Sequence, residues 1–116
     1  EGHQGVVEAL LRAGAQIEAA NEKGGTALMA ASLQGHRDVV ELLLRAGAQV
    51  EATNKCAFTA LMVASLHGHG DVVEQLLRGG AQVNAANSLQ GGTALSLASK
   101  NGHRDVVEQL LRAGAQ

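Results

Sequence analysis

Apolar residues recur along this chain at helical spacing. In one block they are Val39, Val40, Leu43 and Leu44. Intervals of three and four residues place such side chains on one face of a helix and leave the charged positions on the other. The pattern therefore predicts an amphipathic helix over residues 37–46, ended by Gly47 in a left-handed conformation.

A second, shorter helix is predicted before this one. Residues 26–34 are rich in good helix formers and end at Gly35, and Thr26 is a candidate N-cap because its hydroxyl can accept a bond from an otherwise unpaired amide. After the second helix, residues 48–58 form an extended stretch centred on Asn54, a residue type that bonds its own backbone in turns. The predicted unit is thus a helix, a tight turn, an antiparallel helix and a projecting finger.

The unit recurs at a nearly constant interval. A Gly-His pair opens the second helix at positions 2, 35, 68 and 102, so the intervals are 33, 33 and 34 residues. One extra residue in the finger at 87–92 accounts for the longer interval. A period of this length is typical of stacked-repeat proteins, in which each unit buries its apolar face against its neighbours. A Glu and an Arg four residues apart recur in every second helix, a pair that stabilises a helix by about 0.3 kcal/mol. The pairs are Glu8/Arg12, Glu41/Arg45, Glu74/Arg78 and Glu108/Arg112.

These residues resemble an ankyrin repeat. The matching stretches are the Thr-Ala-Leu openings at 26–28, 59–61 and 93–95, together with the four Gly-His, Val-Val, Leu-Leu and Gly-Ala blocks. The resemblance covers essentially the whole chain. It implies an all-α ankyrin-repeat solenoid of stacked antiparallel helix pairs with projecting β-hairpin or turn fingers.

The repeat pattern predicts how the array is divided. We expect a single array made of a partial repeat without its first helix (1–25), a repeat (26–58), a repeat with a one-residue finger insertion (59–92) and a repeat truncated before its finger (93–116). Neither end carries a polar capping repeat, so we expect exposed apolar surface there, with fraying at residues 1–13 or self-association. The chain is interpreted as a piece of a longer array.

One finger departs from the family pattern in a way that has an energetic consequence. Gly24 and Gly91 occupy equivalent finger positions, and Ala57 replaces glycine at that position in the middle unit. If the position requires a positive φ, alanine costs about 1 kcal/mol there.

Composition and charge exclude several classes of function. The formal net charge is −2, with both signs interspersed, which offers no basic stripe for nucleic acid or for an anionic membrane surface. No apolar run approaches the roughly 18 residues that would cross a bilayer. The single cysteine, Cys56, excludes an internal disulfide framework. We expect an intracellular protein, in the cytoplasm or the nucleus.

The five histidines do not form a convincing chemical site. His3, His36, His69 and His103 all follow glycine in the same turn, and units about 10 Å apart hold them too far from one another to share one metal ion. The resemblance implies that they bond loop backbone groups. His67 and His69 form His-x-His, but two ligands do not make a site. No nucleophile motif is present, so we expect no enzyme activity, no metal and no cofactor.

The resemblance implies a protein partner, bound by the finger tips and by the concave face of the first helices. Positions that differ between otherwise near-identical units are those that the fold does not dictate, and they are the candidate contacts. They are Glu22, Lys23, Leu33, Gln34, Lys55, Cys56, Phe58, Leu66, His67, Ser88, Leu89, Gln90, Lys100 and Asn101.

Phe58 and the whole-protein context leave alternatives open. Phe58 is the only aromatic residue, and aromatic residues are enriched at interface hot spots, but its ring could instead lie against an adjacent finger. The array could also recruit substrates for an enzyme domain encoded elsewhere. A third alternative is a structural or engineered repeat spacer without a natural partner.

Overall fold

The computed structural model describes residues 26–116, in which six helices form three antiparallel pairs. The helices are α1 (Ala27–Gln34), α2 (Arg37–Arg45), α3 (Ala60–Leu66), α4 (Gly70–Arg78), α5 (Ala94–Lys100) and α6 (Arg104–Arg112). The first helices of the pairs, α1, α3 and α5, pack against one another in one row, and the second helices, α2, α4 and α6, form a second row. The predicted all-α stack of helix pairs is confirmed.

The first helices begin where a threonine caps them. The threonine hydroxyl oxygen accepts a hydrogen bond from the amide three residues on, at 3.3 Å for Thr26 and 3.2 Å for Thr59 and Thr93. At α5, Ser96 completes a capping box, because its hydroxyl oxygen accepts from the Thr93 amide at 2.8 Å. Each bond pairs an amide that the helix itself leaves unpaired, which confirms Thr26 as an N-cap.

The second helices are stabilised by charge instead. None of them has a side-chain cap, but each carries an aspartate in its first turn and an arginine in its last, which oppose the helix dipole. The predicted Glu–Arg pairs are present at 2.7 Å (Glu41/Arg45), 2.8 Å (Glu74/Arg78) and 3.9 Å (Glu108/Arg112), and all are solvent-exposed. The predicted Glu8/Arg12 pair and the fraying expected at residues 1–13 lie outside the described residues.

The core lies between the two rows and is built from small aliphatic side chains. Valines and leucines of the second helices, such as Val72 and Leu76, are fully buried against alanines of the first helices, such as Ala64 and Ala98. Small side chains let adjacent helix pairs approach closely. Ser32 and Ser65 are also fully buried, and within residues 26–116 their hydroxyl oxygens have no hydrogen-bond partner.

The fingers are turns, not extended hairpins. Within residues 26–116 the only β pairing outside the helices is one isolated antiparallel bridge between Ala86 and Thr93. Ala57 has φ +64°, in the same left-handed region as Gly91 at +79°. The positive φ considered for this finger position is confirmed, and alanine there costs about 1 kcal/mol relative to glycine.

Candidate partner-binding surface

Neighbouring helix pairs are joined at their turns by histidine side chains. His69 Nε2 lies 2.9 Å from the carbonyl oxygen of Leu33, and His103 Nε2 lies 2.9 Å from that of Leu66. Since a carbonyl oxygen only accepts, each ring donates from Nε2. Both rings therefore bond backbone of the preceding pair, which confirms the structural role predicted for these two histidines.

The same rings explain why glycine occurs in the two turns that they cover, at positions 35 and 68. A Cβ atom on Gly35 would lie 2.7 Å from His69 Nδ1, and one on Gly68 would lie 2.6 Å from His103 Nδ1. Both glycines also have φ +74°. The turn thus leaves neither the backbone angle nor the space that a larger residue would need.

On the opposite side of the repeats from the turns, an asparagine side chain bonds the backbone of each described finger. Asn54 Oδ1 accepts bonds from the amides of Cys56 at 2.9 Å and Phe58 at 3.0 Å. Asn87 Oδ1 accepts from the amides of Leu89 and Gln90, both at 2.8 Å. The self-bonding role predicted for the finger asparagine is therefore confirmed.

Asn87 has a second role that sequence reasoning missed. It is 2% exposed, and its Nδ2 donates to the carbonyl oxygen of Cys56 at 2.9 Å, so it ties one finger to the next. Farther down the fingers, Glu51 Oε2 accepts from the amide of Gln82 at 2.7 Å. The sequence offers no separate signal for this bond, because an asparagine that bonds only its own turn would recur at positions 21, 54 and 87 with the same regularity.

The structure separates the described candidate residues into two groups. The tip group lies on the fingers, before the first helices begin, and consists of Lys55, Cys56, Phe58, Ser88, Leu89 and Gln90. The helix-end group lies where the first helices end, and consists of Leu33, Gln34, Leu66, His67, Lys100 and Asn101. Helices of seven or eight residues, each about 10 Å long, lie between the two groups. The candidates Glu22 and Lys23 lie outside the described residues.

Between the two groups the central first helix offers a partner very little surface. Every residue from Ala60 to Ser65 in α3 is buried. A partner that spans the two groups would therefore contact the fingers and the helix ends but not the buried residues of α3.

Most of the candidate residues are accessible. Leu89 is 69% exposed and Leu33 is 44% exposed, whereas Phe58 and Leu66 are half-buried. The other described candidates are exposed. Phe58 is therefore partly covered and partly available, and both of its predicted interpretations stay open.

Two helix-end residues are also engaged within the fold. Asn101 Nδ2 donates to the carbonyl oxygen of Leu66 at 2.9 Å, so this carbonyl accepts from Asn101 and from His103. The His67 and His69 rings stack with their centroids 6.2 Å apart. Within residues 26–116, no group of three or more His, Cys, Asp or Glu side chains is placed to hold a metal ion.

Charge is distributed very unevenly between the two sides of the stack. Every charged side chain of residues 26–116 lies on a second helix, except those of Glu51, Lys55 and Lys100. An open cleft of about 430 Å³ between α2 and α4 is lined by charged residues including Arg37, Glu41 and Arg78. The tip and helix-end groups carry, by contrast, two charged side chains, Lys55 and Lys100, and no carboxylate.

The chain was compared with known protein families and with curated proteins. A family model described as ankyrin repeats (3 copies) matches residues 1–54 and 50–116, which together extend over the whole chain. No curated protein matches. In the part of the chain that the structure describes, no helix is long and apolar enough to cross a membrane.

Proposed function

Since the chain belongs to the ankyrin-repeat family, we propose that it binds a partner protein through the tip group and the helix-end group. Ankyrin repeats are generally protein–protein interaction modules and are typically non-catalytic. The proposed module carries out no chemistry of its own. It holds a partner in place by surface complementarity.

One observation carries this proposal: exposed leucines and few charges occur on the same side of the molecule. Leu33 and Leu89 are large, exposed and apolar, and among the candidate residues within 26–116 the only charged side chains are Lys55 and Lys100. The centres of protein interfaces are depleted of charged residues, because desolvating a charge costs more than a contact returns. The second-helix side, with its many Asp, Glu and Arg side chains, is suited to contact with water.

The same distribution disfavours nucleic acid as the partner. Binding to a phosphate backbone needs several cations along one face, since each neutralised phosphate contributes separately. The candidate surface supplies two lysines in residues 26–116.

We further place the protein in a reducing intracellular compartment, where the exposed free thiol of Cys56 persists.

A site-specific photo-crosslinker tests the proposal while the partner is still unidentified. The crosslinker is placed at Leu33 or Leu89 in the intact chain, and at Leu111 as the matched control. Leu111 is also a large exposed apolar residue, at 52%, but lies on the second helix α6. We expect Leu33 and Leu89 to crosslink a common protein that Leu111 does not.

The purified crosslinked protein then allows a quantitative test. Leu33→Ser combined with Leu89→Ser should weaken its binding about tenfold or more, since each change removes apolar burial, whereas Leu111→Ser should change it less than twofold. Equal weakening by Leu111→Ser, or unchanged affinity of the double variant, would refute the assignment of the surface.

A further inference from the structure

Leu89 is the most exposed large apolar side chain in residues 26–116. It is 69% exposed, compared with 52% for Leu111 and 44% for Leu33. It also lies in the finger with the additional residue, which no other finger of the chain has. An apolar side chain of this size at the end of a projecting turn has no role in the core of the molecule.

The backbone that presents Leu89 is held firmly in place. The finger is closed by the bond from the Asn87 amide to the Gly92 carbonyl, and the Gly91 amide bonds the Asn87 carbonyl, both at 2.7 Å. The Asn87 side chain adds the two bonds to the amides of Leu89 and Gln90 described above. A partner that contacts Leu89 therefore does not have to order the loop first, which removes a common cost of association.

The tips of the two described fingers have a positive balance of charge. Lys55 adjoins Cys56, whose carbonyl oxygen accepts the inter-finger bond from Asn87. Residues 54–58 and 87–92 contain no Asp or Glu. The nearest finger carboxylate in sequence, Glu51, already accepts the bond from the Gln82 amide. The single exposed charge of Lys55, with no carboxylate in either tip, favours an acidic group over a basic one in a partner.

We propose that the finger at 87–92 determines the specificity of this surface, and that its partner supplies a segment that carries both apolar and acidic side chains. The inference rests on the proposed protein-binding function. Apolar side chains of the segment pack against Leu89, and its carboxylates pair with Lys55. Leu89 supplies the apolar contact and Lys55 supplies the charge selectivity.

A random linear peptide library displayed on phage tests this chemistry directly. The library is selected on the intact 116-residue protein, and the enriched sequences are synthesised for affinity measurements by fluorescence anisotropy. We expect enrichment of apolar residues together with Asp and Glu. A library that yields no enriched sequence, or one enriched in Lys and Arg, overturns the inference.

Matched variants identify the residues that are responsible. Leu89→Ser should weaken the enriched peptides about tenfold, and Leu89→Met should retain their affinity, because methionine preserves the apolar volume. Lys55→Glu should weaken them about fivefold at low salt and less at high salt, as expected for an exposed charge. The controls Leu111→Ser and Arg112→Glu, on the second-helix side, should change affinity less than about twofold.

The same variants distinguish failure of this inference from failure of the proposed function. Peptides that are insensitive to Leu89→Ser and Lys55→Glu but are weakened by Leu33→Ser would overturn the finger as the specificity element and leave the binding surface in place. Peptides that are weakened only by the second-helix controls would overturn both.

Discussion

Neighbouring repeats are joined at their turns and at their fingers by the same kind of bond, from a side chain to a backbone carbonyl. Only the turns have the same backbone geometry in every described repeat. At the turns, Gly35, Gly68 and Gly102 all have φ +74°, and both described histidine-to-carbonyl bonds measure 2.9 Å. At the fingers, one has alanine in the left-handed position and the other has an added residue. The backbone geometry is therefore repeated at the turns and varies at the fingers.

The difference follows from how closely the neighbouring unit approaches. At Gly68 the ring of His103 occupies the space that a Cβ would enter, whereas at Gly91 no atom lies within 4 Å of that position. A change in the turn thus disturbs two units at once. At exposed finger positions such as Ser88 and Leu89 a change is confined to the finger, whereas Asn87 joins its finger to the preceding one through the Cys56 carbonyl. The exposed tip positions are therefore free to carry partner-specific residues.

The largest predicted effect tests the turn. Gly68→Ala should lower the free energy of unfolding by about 3 kcal/mol, because it adds a steric clash with His103 to the strain of a positive φ. Gly102→Ala is the matched control, since Gly102 has the same φ of +74° and nothing within 4 Å of its Cβ position. It should lose only about 1 kcal/mol. Urea unfolding measures both, and equal losses would show that the ring contact has no cost.

The next effect tests the buried side chain of Asn87 in the finger at 87–92. Asn87→Ala should lower the free energy of unfolding by about 2 kcal/mol, because it leaves the Cys56 carbonyl and two finger amides without their partner. The amides of Leu89 and Gln90 should also exchange hydrogen faster. Ser88→Ala, at an exposed position of the same finger, should change stability by less than about 0.5 kcal/mol. An unchanged rate of hydrogen exchange at the Leu89 amide in the Asn87→Ala variant would contradict the role of Asn87 in holding the finger backbone.

A smaller effect compares the two fingers directly. Ala57→Gly should raise the free energy of unfolding by about 1 kcal/mol, and Gly91→Ala should lower it by about 1 kcal/mol, because each change exchanges the residue at a left-handed position. The double variant should then unfold close to the parent protein in urea. A double variant that departs from the sum of the two single changes by more than about 0.5 kcal/mol would mean that the fingers are coupled through more than their backbone angles.

The smallest effect concerns the exposed leucines. Leu89→Ser and Leu111→Ser should each change stability by less than about 0.5 kcal/mol, since neither side chain belongs to the buried core. Thermal unfolding by circular dichroism measures this. A large loss at Leu89 would show that it supports the finger, and any binding defect of that variant would then need another explanation.

The sequence predicted the parts of the molecule that depend on local chemistry. The Val-Val and Leu-Leu spacing indicated the second helices, the threonine openings indicated the capped first helices, and Ala57 was identified as strained if its φ was positive. These predictions succeeded because each depends on a few consecutive residues. The periodicity then extended them from one unit to the others.

Contacts between units could not be predicted in the same way. The period gives a residue its place within a unit, but not what the next unit places over it. Leu33 and Leu66 occupy equivalent positions, yet the first is exposed and the second is half-buried. Asn87 was expected to bond its own turn, and its bond to Cys56 depends on how far apart the fingers stand. These residues show that repeat equivalence does not imply an equivalent environment.

The added residue in the second described finger has a consequence for how such a protein can change. Three residues lie between Asn54 and the Phe58 carbonyl that its amide bonds, and four lie between Asn87 and the Gly92 carbonyl, yet the capping distance at the following helix is 3.2 Å in both cases. The loop enclosed by this backbone bond absorbs the insertion before the helix begins. A finger can therefore change its length by one residue while the capped start of the following helix stays the same, so this part of the chain can vary without a change in the helices.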